Sequence, residues 1–278
     1  MSDQTRTLRT SLGHNITVFT NDHVGDKIAR FGLYEKENLQ LLMALLKKIN
    51  NPVVMDVGAN IGNHTLAFSK VASQVLAFEP LPAAYALLLN NIQANHIANV
   101  NTFPFALSDT RDDETTIYMV RDGNVGASSF DKRDNKVESV VVKKRIGDQA
   151  LEKALVKKVD FIKLDVEAHE AFVLRGLNNT LRQHKPIITM EWNDPLTIER
   201  LSGSEEMQFL MREYDIHVLG SNYDRGYWAH QSFPFIRRKL TRLFKPKKAA
   251  LYTFNPARLY KNLLLIPKSK AGILDGLL

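Results

Sequence analysis

The stretch Val53-Val54-Met55-Asp56-Val57-Gly58-Ala59-Asn60-Ile61-Gly62 decides the fold. Its first five residues, apolar except for Asp56, have the unbroken pattern of a strand covered on both faces. Gly58 and Gly62 then bracket a tight turn that opens a helix at Asn63. Moving outward, the same alternation recurs. Short apolar strands are expected at 75–78, 100–107, 139–144, 159–166, 186–191, 216–219 and 262–267. Between them, helical stretches start at Asn63, Pro82 and His169, with others near 148–156 and 199–213. Pro82 suits a first helical turn, where its missing N–H costs nothing. Strands alternating with helices predict a parallel sheet with helices on both sides, an α/β three-layer sandwich. The charged stretch 108–138 reads as loop. Before the core, a β-hairpin (8–11 and 16–20, turning at Gly13-His14-Asn15) and a helix over about 35–49 form an N-terminal extension. The expected division is therefore 1–51 for the hairpin and helix, and 52–278 for the main domain with a basic insertion near 222–250.

Composition narrows the class of function. The 278 residues are 44% hydrophobic and 24% charged, ordinary values for a globular chain and not for a disordered one. The absence of cysteine removes disulfides, thiolate nucleophiles and cysteine-rich zinc sites. The first thirty residues carry no apolar signal segment, and no run approaches the ~18 apolar residues of a membrane span. A cytoplasmic setting is the expectation. The net charge of +7 is local: Arg237, Arg238, Lys239, Arg242, Lys245, Lys247 and Lys248 are seven basic residues in a stretch with no acidic one. The rest of the chain is neutral, so an evenly cationic surface for nucleic acid is not expected.

The glycine turn points to a particular ligand. A dinucleotide turn has a glycine in its middle position so that the backbone can approach a pyrophosphate. Here that position is Asn60. S-adenosylmethionine has no phosphate; it needs a tight turn and an acceptor for its ammonium group, which Asp56 could supply directly or through water. Glu79 closes the next strand, where a carboxylate can accept both ribose hydroxyls. The plain alternative is a tight turn and a solvated Glu79. The order of these elements, with Asn60 in the middle, favours S-adenosylmethionine.

The strand at 161–170 ends in Lys163-Leu164-Asp165-Val166-Glu167-Ala168-His169-Glu170. Alternation puts Lys163, Asp165, Glu167 and, if the strand geometry persists, His169 on one face. Four ionisable side chains at a buried strand end are costly unless paired or hydrated. Ligands of open α/β sheets bind at such ends. The alternative is a Lys163–Asp165 ion pair with the remaining residues around a helix start.

The chain resembles the FkbM-type methyltransferases in Asp56-Val57-Gly58-Ala59-Asn60-Ile61-Gly62, Phe78-Glu79-Pro80, Ala106-Leu107-Ser108-Asp109, Gly126-Ala127-Ser128-Ser129 and 162–170. The resemblance spans about 32–192. It implies a class I (Rossmann-like) methyltransferase fold, S-adenosylmethionine as donor, and O-methylation of sugars or other hydroxyl-bearing natural products. By position it implies that Asp56, Gly58, Asn60 and Gly62 form the donor turn. Glu79 would hold the ribose, Ser108 and Asp109 would lie near the adenine, and Asp165, Glu167 and His169 would lie at the transfer mouth. One departure is Ala168, where the family usually has glycine; a left-handed backbone there would strain alanine and alter the aim of His169.

His169 is the expected general base, because its ordinary pKa lies near neutrality. Asp165 or Glu167 would orient it or replace it. Glu191, at the end of the strand 187–191, is read as pointing into the same mouth, as a substrate contact or a rim carboxylate. Ser128 and Ser129, with Gly126, form either a lid over the donor that touches substrate or a polar loop. His64 is expected to be a packing residue. Carboxylates suit a divalent metal, but no dedicated ligand spacing is present, so metal is not favoured. Between 233 and 248, Ile236, Leu240, Leu243 and Phe244 form one helical stripe opposite a cationic face. Three readings stay open: contact with an anionic bilayer as a peripheral membrane segment, attraction of a nucleotide- or lipid-linked acceptor, or an ordinary surface helix. The favoured function is methyl transfer to a glycan or metabolite hydroxyl. The competing one is a catalytically weak or inactive methyltransferase-fold binding module acting as a membrane-associated scaffold.

Overall fold

A computed structural model of the chain describes residues 4–20, 23–120, 129–131, 137–221 and 248–277. The basic stretch 233–247, Gly126 and Ser128 lie outside the described residues. A hairpin of β1 (Thr5–Arg9) and β2 (Asn15–Phe19) precedes helices α1 (His23–Phe31) and α2 (Lys36–Leu46). The core then runs β3 (Val53–Val57), α3 (Asn63–Ser69), β4 (Gln74–Phe78), α4 (Pro82–Ala94) and β5 (Val100–Phe103). Strands β6 (Ala106–Ser108), β7 (Asp112–Val120) and β8 (Val137–Ile146) follow, then α5 (Gly147–Lys153) and β9 (Phe161–Leu164). Next come α6 (Glu170–Gly176), α7 (Asn178–His184), β10 (Ile187–Trp192), α8 (Pro195–Leu201) and α9 (Glu205–Glu213). The described chain ends with β11 (Tyr214–Ser221), β12 (Ala249–Thr253), β13 (Tyr260–Pro267) and a short 3-10 helix (Lys268–Leu274).

Eight strands form the central sheet in the order β12-β11-β13-β10-β9-β3-β4-β5. Strands β5, β4, β3, β9 and β10 are mutually parallel, while β13 runs antiparallel to both β10 and β11. The sheet grows outward from β3 to β5, then resumes on the other side of β3 with β9. This reversal leaves a crevice at the carboxyl ends of β3 and β9, the place where open α/β sheets bind ligands. Strand β3 is buried at every position, as its apolar run requires. One apolar layer includes Met55, Leu76, Ile162 and Leu174. The layer on the other face gathers Val54, Phe68 and Phe161 with Leu39, Leu42 and Leu45 of α2, so the stripe on that helix packs on the sheet. Among the described residues no helix is long and apolar enough to cross a membrane.

Several local expectations needed correction. The stretch 108–138 is not all loop: β7 pairs antiparallel with β8, which also pairs with β6. Strand β7 opens with the polar run Asp112-Asp113-Glu114-Thr115-Thr116, and among its residues whose side chains are described it buries only Ile117, against Leu81, Ala84 and Val142, so that half carries no alternation to detect. The single strand expected at 100–107 is two strands in different sheets, broken at Pro104, which has no N–H for a ladder. The helix expected at 199–213 is α8 and α9, separated at Ser202-Gly203-Ser204; Ser204 caps α9 by accepting from the Met207 N–H. The run starting at His169 is likewise two short helices, α6 and α7. Helix α1 and strand β12 went unread.

Candidate active site

A cavity enclosing about 1170 Å3, its open mouth included, lies at the crevice between β3 and β9. Its floor is the glycine turn. Gly58 has φ 81°, and a Cβ there would stand 1.8 Å from the Asp165 carbonyl oxygen, so the end of β9 can approach only a glycine. Asn60 also takes a left-handed backbone, φ 50°. The turn is tied from both sides. Lys163 Nζ donates to the Gly58 carbonyl at 2.7 Å, and the Gly58 and Ala59 N–H groups donate to the Phe78 carbonyl at 3.0 Å. Glu79 closes it: one carboxylate oxygen accepts from the Asn60 N–H and the other from the Leu81 N–H, each at 2.8 Å. Burial pushes the Glu79 carboxyl up to about 7, despite those two N–H donors.

Asp56 is not among the cavity-lining residues. It is fully buried, accepts from the Thr65 hydroxyl at 2.6 Å and lies 3.4 Å from Lys163 Nζ. Asp56, expected to meet the ligand's ammonium directly or through water, here holds Lys163 and α3 from behind the cavity wall. The Lys163–Asp165 ion pair is present at 3.1 Å. Burial opposes the charge on Lys163, but Asp165 and Asp56 outweigh it and hold the ammonium above the usual lysine range. Gly62 also stands behind the cavity: with φ 96° it starts α3, and a Cβ there would meet Leu88 Cδ1 at 2.8 Å.

Three carboxylates meet at the cavity. Asp165, Glu167 and Glu191 each offer an oxygen within 4.8 Å of the others. They come from the ends of β9 and β10, which is why no short spacing announced them. Burial first, and then Asp165 and Glu167, push the Glu191 carboxyl up to about 10. Glu191 sits where β10 and β13 shift register, an irregularity of the kind that re-aims side chains near active sites.

His169 does not join this group. Strand geometry ends at Leu164, and Glu167 and Ala168 have φ of 51° and 71°. The left-handed pair breaks the alternation that would have kept His169 on the face of Asp165. Each such residue costs about 1–2 kcal/mol. The strain anticipated at Ala168 is therefore real, and it swings His169 to another wall. There His169 Nε2 lies 3.1 Å from Ser108 Oγ, and the ring is held between Phe130 and Phe172, with centroids at 4.3 and 4.6 Å. Burial, with Lys144 next, lowers its pKa to about 4, so the ring is neutral at pH 7. Ser108 and Asp109 lie behind it, outside the cavity lining; Asp109 pairs with Arg175 at 2.9 Å. Ser129 is buried, and its hydroxyl donates to the Glu167 carbonyl at 3.2 Å.

Gly58, Asn60, Glu79, Asp165, Glu167, His169 and Glu191 thus share one cavity, while Asp56, Gly62, Ser108, Asp109 and Ser129 support it from behind. The sequence reading missed the wall built by the N-terminal extension, His23, Val24 and Tyr34. His64 also faces the cavity, edge-on to Tyr34, with Nε2 3.6 Å from Glu35. Burial works against the Glu35 charge, but His64 and Lys261 outweigh it and keep this carboxyl below the usual range. No motif marks these residues; only the packing of α1 and α2 brings them here.

The order β5-β4-β3-β9-β10-β13-β11, with its antiparallel β13, is that of the class I, Rossmann-like methyltransferase fold. Residues 56–253 match the methyltransferase FkbM domain, and the chain belongs to that family. It is 30% identical to the hexuronic acid methyltransferase AglP of Haloferax volcanii, over 53% of this chain and 58% of that protein. It is 31% identical to Methyltransferase 1 of Beauveria bassiana, over 45% of this chain and 58% of that one. The chain thus spans less than two thirds of the length of these curated relatives. The crystal structure of a methyltransferase FkbM from Methylobacillus flagellatus KT is similar at 15% identity and a TM-score of 0.41, covering 87% of this chain and 60% of that one.

Proposed function

We propose that the protein is an S-adenosylmethionine-dependent O-methyltransferase acting on a hydroxyl of a sugar or glycan. The observation that carries this reading is a single cavity lined together by the glycine turn, Glu79 and three clustered carboxylates. S-adenosylmethionine, when bound, supplies a methyl group on a positively charged sulfur. The turn at 58–61 and Glu79 would hold it. Each Glu79 oxygen accepts one backbone N–H and keeps lone pairs for ribose hydroxyls. Leu81, Leu107 and Ile117 line the same cavity and offer an apolar bed for a flat base.

The chain's task is then to place a hydroxyl oxygen and accept its proton. His169 is buried beside Ser108 and outside the acidic group, so this role passes to the carboxylates. Three carboxyls so close do not all ionise. Glu191 keeps a proton near neutrality and can donate a hydrogen bond to the acceptor oxygen. Asp165 is engaged in the ion pair with Lys163, which leaves Glu167 as the first choice of base. The sugar acceptor rests on the hexuronic acid methyltransferase among the relatives. Labelled S-adenosylmethionine, supplied with para-nitrophenyl glucuronide and para-nitrophenyl glucoside, tests the reading. Transfer to a sugar hydroxyl that Glu79→Ala abolishes would support it; an arm with EDTA separates metal-assisted transfer. Calorimetric indifference of the folded protein to S-adenosylhomocysteine would overturn the donor, and a failure of both glycosides to accept methyl would overturn the sugar.

A further inference from the structure

The strained turn at 167–169 is held by three consecutive residues from a remote part of the chain. Ser129 Oγ donates to the Glu167 carbonyl at 3.2 Å. The Phe130 ring lies on His169, centroid to centroid 4.3 Å. The Asp131 carboxylate takes both ends of the Arg200 guanidinium, at 2.8 and 2.7 Å, and Arg200 also donates to the Ala168 carbonyl at 2.8 Å. The Asp131 N–H returns to Ser129 Oγ at 3.2 Å, closing a ring of hydrogen bonds around the turn. The carbonyls of both left-handed residues therefore end on side chains from elsewhere, Glu167 on Ser129 and Ala168 on Arg200. Arg200 comes from α8 and packs its guanidinium 5.3 Å from the Phe172 ring centroid, the other ring against His169.

We infer that Asp131 and Arg200 are positioning residues, a forked ion pair that locks Glu167 and Ala168 in the left-handed backbone and so aims the Glu167 carboxylate at Asp165 and Glu191. A planar fork can bind Asp131 and a carbonyl at once; an ammonium cannot reproduce that geometry. Ala168 is the residue through which Arg200 acts, since Arg200 binds its carbonyl, and alanine resists this backbone where glycine does not. The lock and residue 168 are therefore coupled, and a glycine at 168 relieves the dependence on Arg200.

Hydrogen–deuterium exchange on the full chain without ligand reads this directly. In Arg200→Lys and in Asp131→Asn, amides of 167–170 should exchange at least tenfold faster, while those of β3 and β4 stay unchanged. Adding Ala168→Gly to Arg200→Lys should return exchange to within about threefold of the parent, a non-additivity expected of coupled neighbours. Unchanged exchange in the single variants, acceleration spread equally through the sheet, or no rescue by Ala168→Gly would each overturn the inference. A second arm rests on the methyltransferase reading: with para-nitrophenyl glucoside, Arg200→Lys should lower kcat at least fivefold with the KM for S-adenosylmethionine within twofold. A raised KM at unchanged kcat would contradict the positioning role. Because exchange needs no donor, its result stands apart from the fate of that reading.

Discussion

Gly58 and Ala168 share a left-handed backbone, with φ of 81° and 71°, yet only one of them is a glycine. The difference lies in what surrounds them. At Gly58 a Cβ would sit 1.8 Å from the backbone oxygen of Asp165, and backbone in a sheet cannot retreat. At Ala168 the cost is conformational alone, so side chains elsewhere can offset it. Gly58→Ala should therefore destabilise by at least about 2 kcal/mol, since the left-handed penalty alone reaches 1–2 kcal/mol before the clash is counted; urea denaturation followed by circular dichroism measures it. Glu191 makes a second prediction at this scale. In the unfolded chain it ionises near 4.5, whereas in the folded protein it keeps its proton up to about 10. Over that window the folded state binds more protons, so stability falls as pH rises. Glu79 and Glu170, at about 7, act in the same direction but are spent sooner. His169, lowered to about 4, works on the acid side, where stability falls as pH drops below 6.5. Above about pH 8, once Glu79 and Glu170 are spent, the remaining fall should belong mainly to Glu191, and Glu191→Gln should flatten it in urea titrations.

At the scale of elements, the N-terminal hairpin is tied to α4 by the amides of Asn91 and Asn95, of which only Asn91 is fully buried. Asn91 of α4 accepts from the Thr17 N–H at 2.7 Å and donates to the carbonyls of Thr17 and Ile61, at 3.0 and 2.8 Å. It joins β2, α4 and the glycine turn, and it is fully buried. Asn91→Ala would leave those groups unpaired in a dry place, at about 1–3 kcal/mol for each group that finds no water. The expected result is a loss of about 2–4 kcal/mol overall, read by urea denaturation, with faster hydrogen exchange in β2. A loss under about 0.5 kcal/mol, the range of ordinary surface changes, would show that Asn95 and the apolar contacts of Ile16 and Val18 hold the hairpin without Asn91. This attachment matters to the site because α1 and Tyr34, which follow the hairpin, form a cavity wall. Strand β7 teaches a related lesson. Its first five residues are polar, so there the ladder to β8 makes it a strand, not its own pattern.

For the whole molecule, the sheet and its switch point were legible because they rest on short-range rules. An unbroken apolar run with Gly58 after it means a buried strand and a sharp turn wherever it occurs, and strands alternating with helices leave few topologies. Local residue order alone thus specifies the layered α/β fold, the glycine turn, Glu79 beside that turn and the ionisable end of β9. The tertiary structure decided which side chains meet. It moved Asp56 behind the cavity, swung His169 toward Ser108, and set Glu191 of β10, expected at the same mouth, close enough to Asp165 and Glu167 to form one acidic group. It also placed Tyr34 in the wall and Arg200 under the turn. Backbone preference and burial are encoded within a few residues and can be read locally. The meeting of charged groups depends on the order of strands and on two left-handed residues, which no local pattern expresses.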